Sequence, residues 1–271
     1  MSCLNATLHQ LNSISGAMMR PNKRLKVFLQ LGCVLVAASA SLAFANANTK
    51  DVLSGTYKTS SPYGNTSIHL EQCHHKSHSG LMVVLHGRGG HTQLDKLAQR
   101  FKTIACPRNL AVVVPAASSS NQNWPFEREG GDKQDLFLIE ILKNEIQKKI
   151  KITEPSDTVF IGISAGATFL MGDFYPRHAH LFKGAAIALC GGSWPTDKSK
   201  LKEKENFKKF PLALRISNKD FLYKQSEAGL RTYEAHGIPV IKKITHEQGH
   251  CNFPLETAAE ELLNELNSKK N

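Results

Sequence analysis

Thr158-Val-Phe-Ile-Gly162-Ile163-Ser164-Ala165-Gly166 decides how the rest of the chain is read. Four β-formers lead straight into Gly-x-Ser-x-Gly, and a helical pattern follows over Ala165–Tyr175. The five-residue motif arises by chance often enough that its context carries the weight. A strand, a sharp turn with small flanking residues and a helix together project a serine hydroxyl above a sheet. The helix N-terminus behind that serine favours developing negative charge.

Working outward, further short apolar runs read as strands: Ser67–Gln72, Leu81–Leu85, Leu110–Pro115, Gly184–Leu189, Leu212–Ile216 and Val240–Thr245. Amphipathic stretches lie between them. Thr92–Cys106 opens with Thr92 placed as an N-cap. Lys133–Ile150 sets Leu136, Leu138, Ile139, Leu142, Ile146 and Ile150 along one face, and Leu222–His236 and Leu255–Leu266 complete the set. Met82-Val-Val-Leu85 and Ala111-Val-Val-Val114 are continuous apolar runs, the mark of strands buried on both faces. Strands of that kind alternating with helices predict an α/β fold with a mostly parallel twisted sheet covered on both sides. The pair around Gly55–Gln72 is expected to form an antiparallel edge. Ligands of such sheets bind beyond the carboxyl ends of the strands. Chemistry is therefore expected in the loops after Leu85, Ile163, Ile216 and Thr245.

Those loops carry suitable residues. After Leu85 comes His86-Gly87-Arg88-Gly89-Gly90, a glycine-rich turn whose backbone can approach a reacting carbonyl closely. The amides of Arg88 and Ala165 are the expected oxyanion hole. The turn lacks the spacing of a phosphate-binding loop, and the His86 side chain reads as structural. A serine hydroxyl needs a base to take its proton, and an acid to orient that base. Asp220 follows the strand Leu212–Ile216, and His250 follows Val240–Thr245, in the order Ser, acid, His. His246 is a rival base at the strand end, but Gly249 gives the loop before His250 the freedom to turn back. Asp197 is a rival acid, set among Pro and Lys residues that suggest a surface loop.

Leu-His-Gly-Arg-Gly-Gly, Gly-Ile-Ser-Ala-Gly, Ser-Asn-Lys-Asp and Gly-His-Cys-Asn-Phe-Pro together resemble the motif series of the α/β-hydrolases. The branch most resembled is that of polyhydroxybutyrate depolymerases and feruloyl esterases, over about residues 65–268. The resemblance implies a cap-less α/β-hydrolase that cleaves small or polymeric carboxylic esters through an acyl-enzyme, with no cofactor and no metal. It also implies that Asn121-Gln-Asn-Trp124 brings Trp124 to the wall of the substrate pocket, and that Asp135 is structural. Arg88 departs from the branch, which often has a small residue or Cys there, and this bears on the substrate. Peptidase, amidase or thioesterase chemistry would use the same residues, and a non-catalytic scaffold would keep the fold alone.

The chain has 271 residues, a formal net charge of +11, 41% hydrophobic and 21% charged residues, the profile of an ordinary globular domain. Lysines mixed with glutamates over Lys198–Lys209 read as a solvated helix face, and no recognition motif points to nucleic acid. Arg20–Lys26, the apolar Val27–Leu42 and Ala43-Phe44-Ala45 follow the order of a secretory signal peptide, with Met18 or Met19 as alternative starts. Ala45-Asn46-Ala47 is a second cut site, and a membrane anchor is the competing reading of the apolar run. Residues 1–45 are thus expected to be an extension and signal, and 46–271 a monomeric catalytic domain, secreted or periplasmic, without a membrane anchor. Cys73, Cys106, Cys190 and Cys251 suit two disulfides in an oxidising compartment, with three connectivities open and free thiols as the alternative. One of the three, Cys190–Cys251 with Cys73–Cys106, would pin the catalytic loop. Cys73-His74-His75-Lys-Ser-His78 and Arg177-His178-Ala-His180 read as an exposed loop and a helix end, not metal sites.

Overall fold

A computed structural model describes residues 54–73, 77–118, 123–124 and 131–269. The expectations for the signal segment, and those for His74, His75, Asn121 and Gln122, lie outside them.

Eight strands form one sheet: β1 (Gly55–Ser61), β2 (Gly64–Glu71), β3 (Gly80–Leu85), β4 (Leu110–Pro115), β5 (Thr158–Ile163), β6 (Ala185–Leu189), β7 (Leu212–Ser217) and β8 (Val240–Thr245). Their spatial order is β1-β2-β4-β3-β5-β6-β7-β8. The hairpin β1–β2 is antiparallel and joins β4 antiparallel, giving the expected edge, and every later pair is parallel.

Alternation within each strand explains the apolar runs. Leu81, Val83 and Leu85 face one layer with Phe160, Ala186, Leu212 and Leu214. Met82 and Val84 face the other with Val112, Ile161 and Ile187. Helices Leu94–Ala105 and Leu255–Ser268 cover the second face, burying Phe101, Ile104, Leu262 and Leu266. Helices 131–149, 165–178, Lys204–Lys209 and Tyr223–Ala235 cover the first. Each buried Leu, Ile or Phe contributes roughly 1.5–3 kcal/mol of transfer free energy.

Four local expectations change. Thr92 is not a cap: a 3₁₀ turn, Gly90–Gln93, precedes the helix, and the Thr92 hydroxyl bonds Gly89 O at 3.2 Å. In helix 131–149 Leu136 is exposed, and Phe137, Leu138, Ile141, Leu142 and Ile146 form the inner face. A π-type turn at Ile141–Ile146, where Gln147 N–H reaches Leu142 O, shifts the period there. His78 lies buried, not in an exposed loop, with its backbone bonded to Lys151 and Thr153.

The fourth change shapes the site. Helix 165–178 continues through Pro176, past the expected end at Tyr175. Proline has no N–H, and Gly172 O, which an ordinary turn would offer to it, instead accepts Thr196 N–H at 2.9 Å and the Thr196 hydroxyl at 3.2 Å. A π-type turn over Leu170–Phe174 accommodates the ring. The loop after β6 is thereby docked onto the helix that follows Ser164.

Candidate active site

Ser164 sits where β5 turns into helix 165–178, with φ 52° and ψ −111°. Such backbone strain in a non-glycine residue costs about 1–3 kcal/mol and persists only where surroundings enforce it. They do. Ser164 N–H bonds Leu189 O on β6, and Ser164 O accepts Thr168 N–H, both at 2.9 Å. The motif glycines are fixed by close approach: a Cβ on Gly162 would lie 2.6 Å from Ala167 Cα, and one on Gly166 2.3 Å from Leu85 O. Gly191 answers the same need from β6, since its Cβ would stand 2.6 Å from Ser164 O.

Asp220 lies in the turn after β7, its side chain fully buried. One carboxylate oxygen accepts Leu222 N–H at 2.9 Å, and the other meets His250 Nδ1 at 2.7 Å. That contact puts the proton on Nδ1 and leaves Nε2 as the acceptor. His250 Nε2 stands 2.7 Å from Ser164 Oγ. The loop that delivers His250 turns through Gly249 at φ 90° and Cys251 at φ 54°. The disulfide Cys190–Cys251 (Cα–Cα 5.1 Å) bonds it to the residue after β6, and Cys73–Cys106 is the second bridge.

The turn after β3 borders the same space. Gly87 lies close to Ser164: a Cβ there would stand 3.4 Å from Ser164 Cβ. Gly90 N–H closes the turn on Gly87 O at 3.0 Å, and Gly89, at φ 74°, donates to Asn123 Oδ1 at 3.2 Å. Arg88 is exposed within it. Ala165 is the first residue of its helix, and first-turn amides have no carbonyl partner within a helix. His86 is fully buried and bonded on both nitrogens: Nδ1 donates to Gly87 O at 2.7 Å and Nε2 accepts Ala117 N–H at 3.3 Å. Burial foremost, then the nearby His91, holds the His86 pKa below its ordinary value. A neutral ring suits both bonds.

Solved structures share this arrangement of strands. A ferulic acid esterase superposes with a TM-score of 0.57 at 15% identity, covering 78% of this chain and 96% of that one. Zea mays acyl-protein thioesterase 2 gives 0.56 at 20% identity, with 74% and 97% covered. Esterase PE8 gives 0.53 at 23%, with 73% and 97% covered. No protein-family model and no curated protein matches the chain. The chain has the α/β-hydrolase fold.

Within that α/β-hydrolase sheet the rival candidates fall away from the serine. His246 is exposed at the end of β8. Asp197 caps a short 3₁₀ turn through Ser199, whose N–H and hydroxyl it accepts at 3.0 and 2.5 Å. Asp135 is buried against His178 at 2.7 Å and Arg177 at 3.4 Å, an ion-pair cluster that joins two helices. Trp124 is 4% exposed, stacked on Phe169 with centroids 5.0 Å apart and 5.7 Å from the His86 ring. Among the described residues one trio, Cys190, His250 and Cys251, has metal-ligand proximity, but its sulfurs are bonded to each other.

Two residues escaped sequence reasoning. The Ser217 hydroxyl donates to Glu247 O at 2.5 Å and accepts Lys219 N–H at 3.1 Å, tying the acid's turn to the base's loop. Its signals were a polar residue ending an apolar strand and its place at the head of Ser-Asn-Lys-Asp. Phe221 is 75% exposed, with its ring centroid 4.6 Å from that of His250. An apolar residue directly after the candidate acid was the available clue.

Proposed function

We propose that this protein is a serine hydrolase that cleaves carboxylic esters through an acyl-enzyme. The observation that carries the reading is the unbroken hydrogen-bonded line Asp220–His250–Ser164, with both links at 2.7 Å. In the first half-reaction His250 Nε2 takes the Ser164 proton as Oγ attacks the ester carbonyl. The imidazolium that forms is stabilised by Asp220 and then hands its proton to the departing alcohol. In the second, water loses a proton to His250 and attacks the acyl-serine, releasing the acid and restoring the hydroxyl. The amides of Arg88 and Ala165 are assigned to the tetrahedral oxyanion. Trp124, packed beside the His86–Gly90 turn, is assigned to the inner wall of the pocket. No cofactor takes part in these steps.

The test is direct. Wild-type protein should be labelled at Ser164 by a fluorophosphonate and should hydrolyse short p-nitrophenyl esters. Ser164→Ala should lose labelling and about four to six powers of ten in kcat/KM. Unchanged turnover in a folded variant would move the nucleophile elsewhere, and a panel of esters, thioesters and amides ranks the acyl chemistry.

We also place the mature protein outside the cytoplasm. Two disulfides support an oxidising compartment, and among the described residues no helix is long and apolar enough to cross a membrane. Sequencing the mature N-terminus should find it near Asn46.

A further inference from the structure

A second feature borders the nucleophile, and it is charged. Lys96, Leu97 and Arg100 share one side of helix Leu94–Ala105, away from its buried Leu94, Ala98 and Phe101, and Gln93 precedes them in the 3₁₀ turn. That side faces the His86–Gly90 turn across a cavity of about 380 Å³. Ile163, the residue before the nucleophile, and Leu255 form part of its apolar lining, and Gly87, where a Cβ would stand 3.4 Å from Ser164 Cβ, lines it on the side of the nucleophile. Arg88 lines it from the turn itself.

Several surface cations are neutralised by carboxylates. Lys102, Lys208, Lys242 and Lys243 each meet a glutamate within 3.6 Å. Arg100 does so too, at 2.7 Å from Glu256. Among the described residues neither Arg88 nor Lys96 makes an ion pair. Two unpaired cations, beside the ion-paired Arg100, thus line a cavity whose walls are partly apolar. Low-dielectric walls strengthen the field of such charges, and a guanidinium presents a fork that matches a carboxylate.

We propose that this cavity receives a second, ionised acid group of the substrate, so that the preferred esters carry a carboxylate a few atoms from the bond to be cleaved. The inference rests on the esterase reading above and deepens it. It also gives a role to Arg88, the residue at which the chain departs from the motif it resembles.

Two matched pairs test it: p-nitrophenyl glutarate against p-nitrophenyl pentanoate, with the charge on the acyl side, and p-acetoxybenzoate against p-acetoxybenzamide, with the charge on the leaving group. In at least one pair the ionised ester should be preferred in kcat/KM by about tenfold or more at low salt, from charge-assisted hydrogen bonds. That preference should shrink as salt screens it. Lys96→Gln and Arg88→Gln should each reduce the ratio of ionised to neutral kcat/KM by about three- to tenfold. Equal or better use of the neutral ester in both pairs would overturn the inference and leave the esterase reading standing. So would a preference that neither substitution moves. A wild-type protein that no fluorophosphonate labels would remove both.

Discussion

The two ends of the sheet are built to different rules. At the amino ends of the parallel strands glycines serve close packing alone. A Cβ on Gly80 would lie 1.8 Å from Asp157 O, and one on Gly184 2.1 Å from Thr158 O. At the carboxyl ends the backbone is bent into left-handed conformations at residues that are not glycine. Four such residues are described, and Ser164, Cys190 and Cys251 all belong to this rim. The fourth, Asn109, closes the turn after a helix, where asparagine is well tolerated. Each end also has one disulfide. Cys73–Cys106 joins the end of β2, which runs antiparallel beside the start of β4, to the end of helix Leu94–Ala105. Cys190–Cys251 joins two loops of the reactive rim. One end is organised for packing and the other to hold three side chains in line against local strain.

If that division is right, changes at the carboxyl rim should cost activity more than stability. Asp220→Asn gives the largest effect after removal of Ser164 itself. The amide can still bond His250, but its NH₂ would favour the wrong imidazole tautomer, as in serine proteases where the same change lowers kcat by about 10⁴-fold. The expected loss here is about three to four powers of ten, with melting by circular dichroism shifted by a few degrees at most. A large drop in melting temperature with modest loss of rate would make the buried carboxylate a structural group and erase the distinction.

The disulfides allow the cleaner comparison. They close segments of 33 and 61 residues, so chain entropy alone predicts that losing either costs about 4 kcal/mol. Cys73→Ala/Cys106→Ala and Cys190→Ala/Cys251→Ala should thus unfold at similarly lowered urea concentrations. Their catalytic effects should diverge. Loosening the residue next to His250 displaces the base, and a misplacement of about 1 Å can cost as much as a hundredfold. We expect kcat to fall by about tenfold or more in the second pair and by less than about twofold in the first, assayed where both are folded. Equal losses would show that the rim is held by hydrogen bonds such as Ser217–Glu247 and not by the covalent link.

Much of this rim was legible in the sequence because strand ends are legible. Thr158–Ile163, Leu212–Ile216 and Val240–Thr245 carry β-rich patterns that suit strands of a sheet. The parallel topology then sends the residues just after them, Ser164, Asp220 and His250, to one edge. The cysteine pairing was open among three choices and needed the fold to close it. What stayed hidden depends on contacts between segments distant in sequence. Pro176 reads locally as a helix stop, yet Thr196 takes up the carbonyl it frees, so the helix runs on. Leu136 fits the apolar periodicity of its helix until a π-type turn shifts the register and leaves it in water. His78 belongs to a polar, histidine-rich string, and only its bridge to Ile152 buries it.

His86 supplies the smallest effect and the finest probe of the turn after β3. Burial and the nearby His91 keep its pKa below the ordinary histidine value, so the folded state resists protonation. An unfolded chain takes up that proton near pH 6.5. As pH falls through that value the unfolded state therefore gains a proton that the folded state refuses, and stability declines toward acid, by at most about 1.4 kcal/mol per pH unit for one group. Above about pH 7 the contribution is fully present. His86→Gln keeps an acceptor for Ala117 N–H and removes the titration. Its melting temperature should lie below that of wild type at neutral pH, and the gap should narrow between about pH 7 and pH 5. Two melting curves that ran parallel across that range would mean that the ring accepts a proton without leaving its place. The turn that borders Ser164 would then be held by its glycines and by Asn123, not by a neutral imidazole.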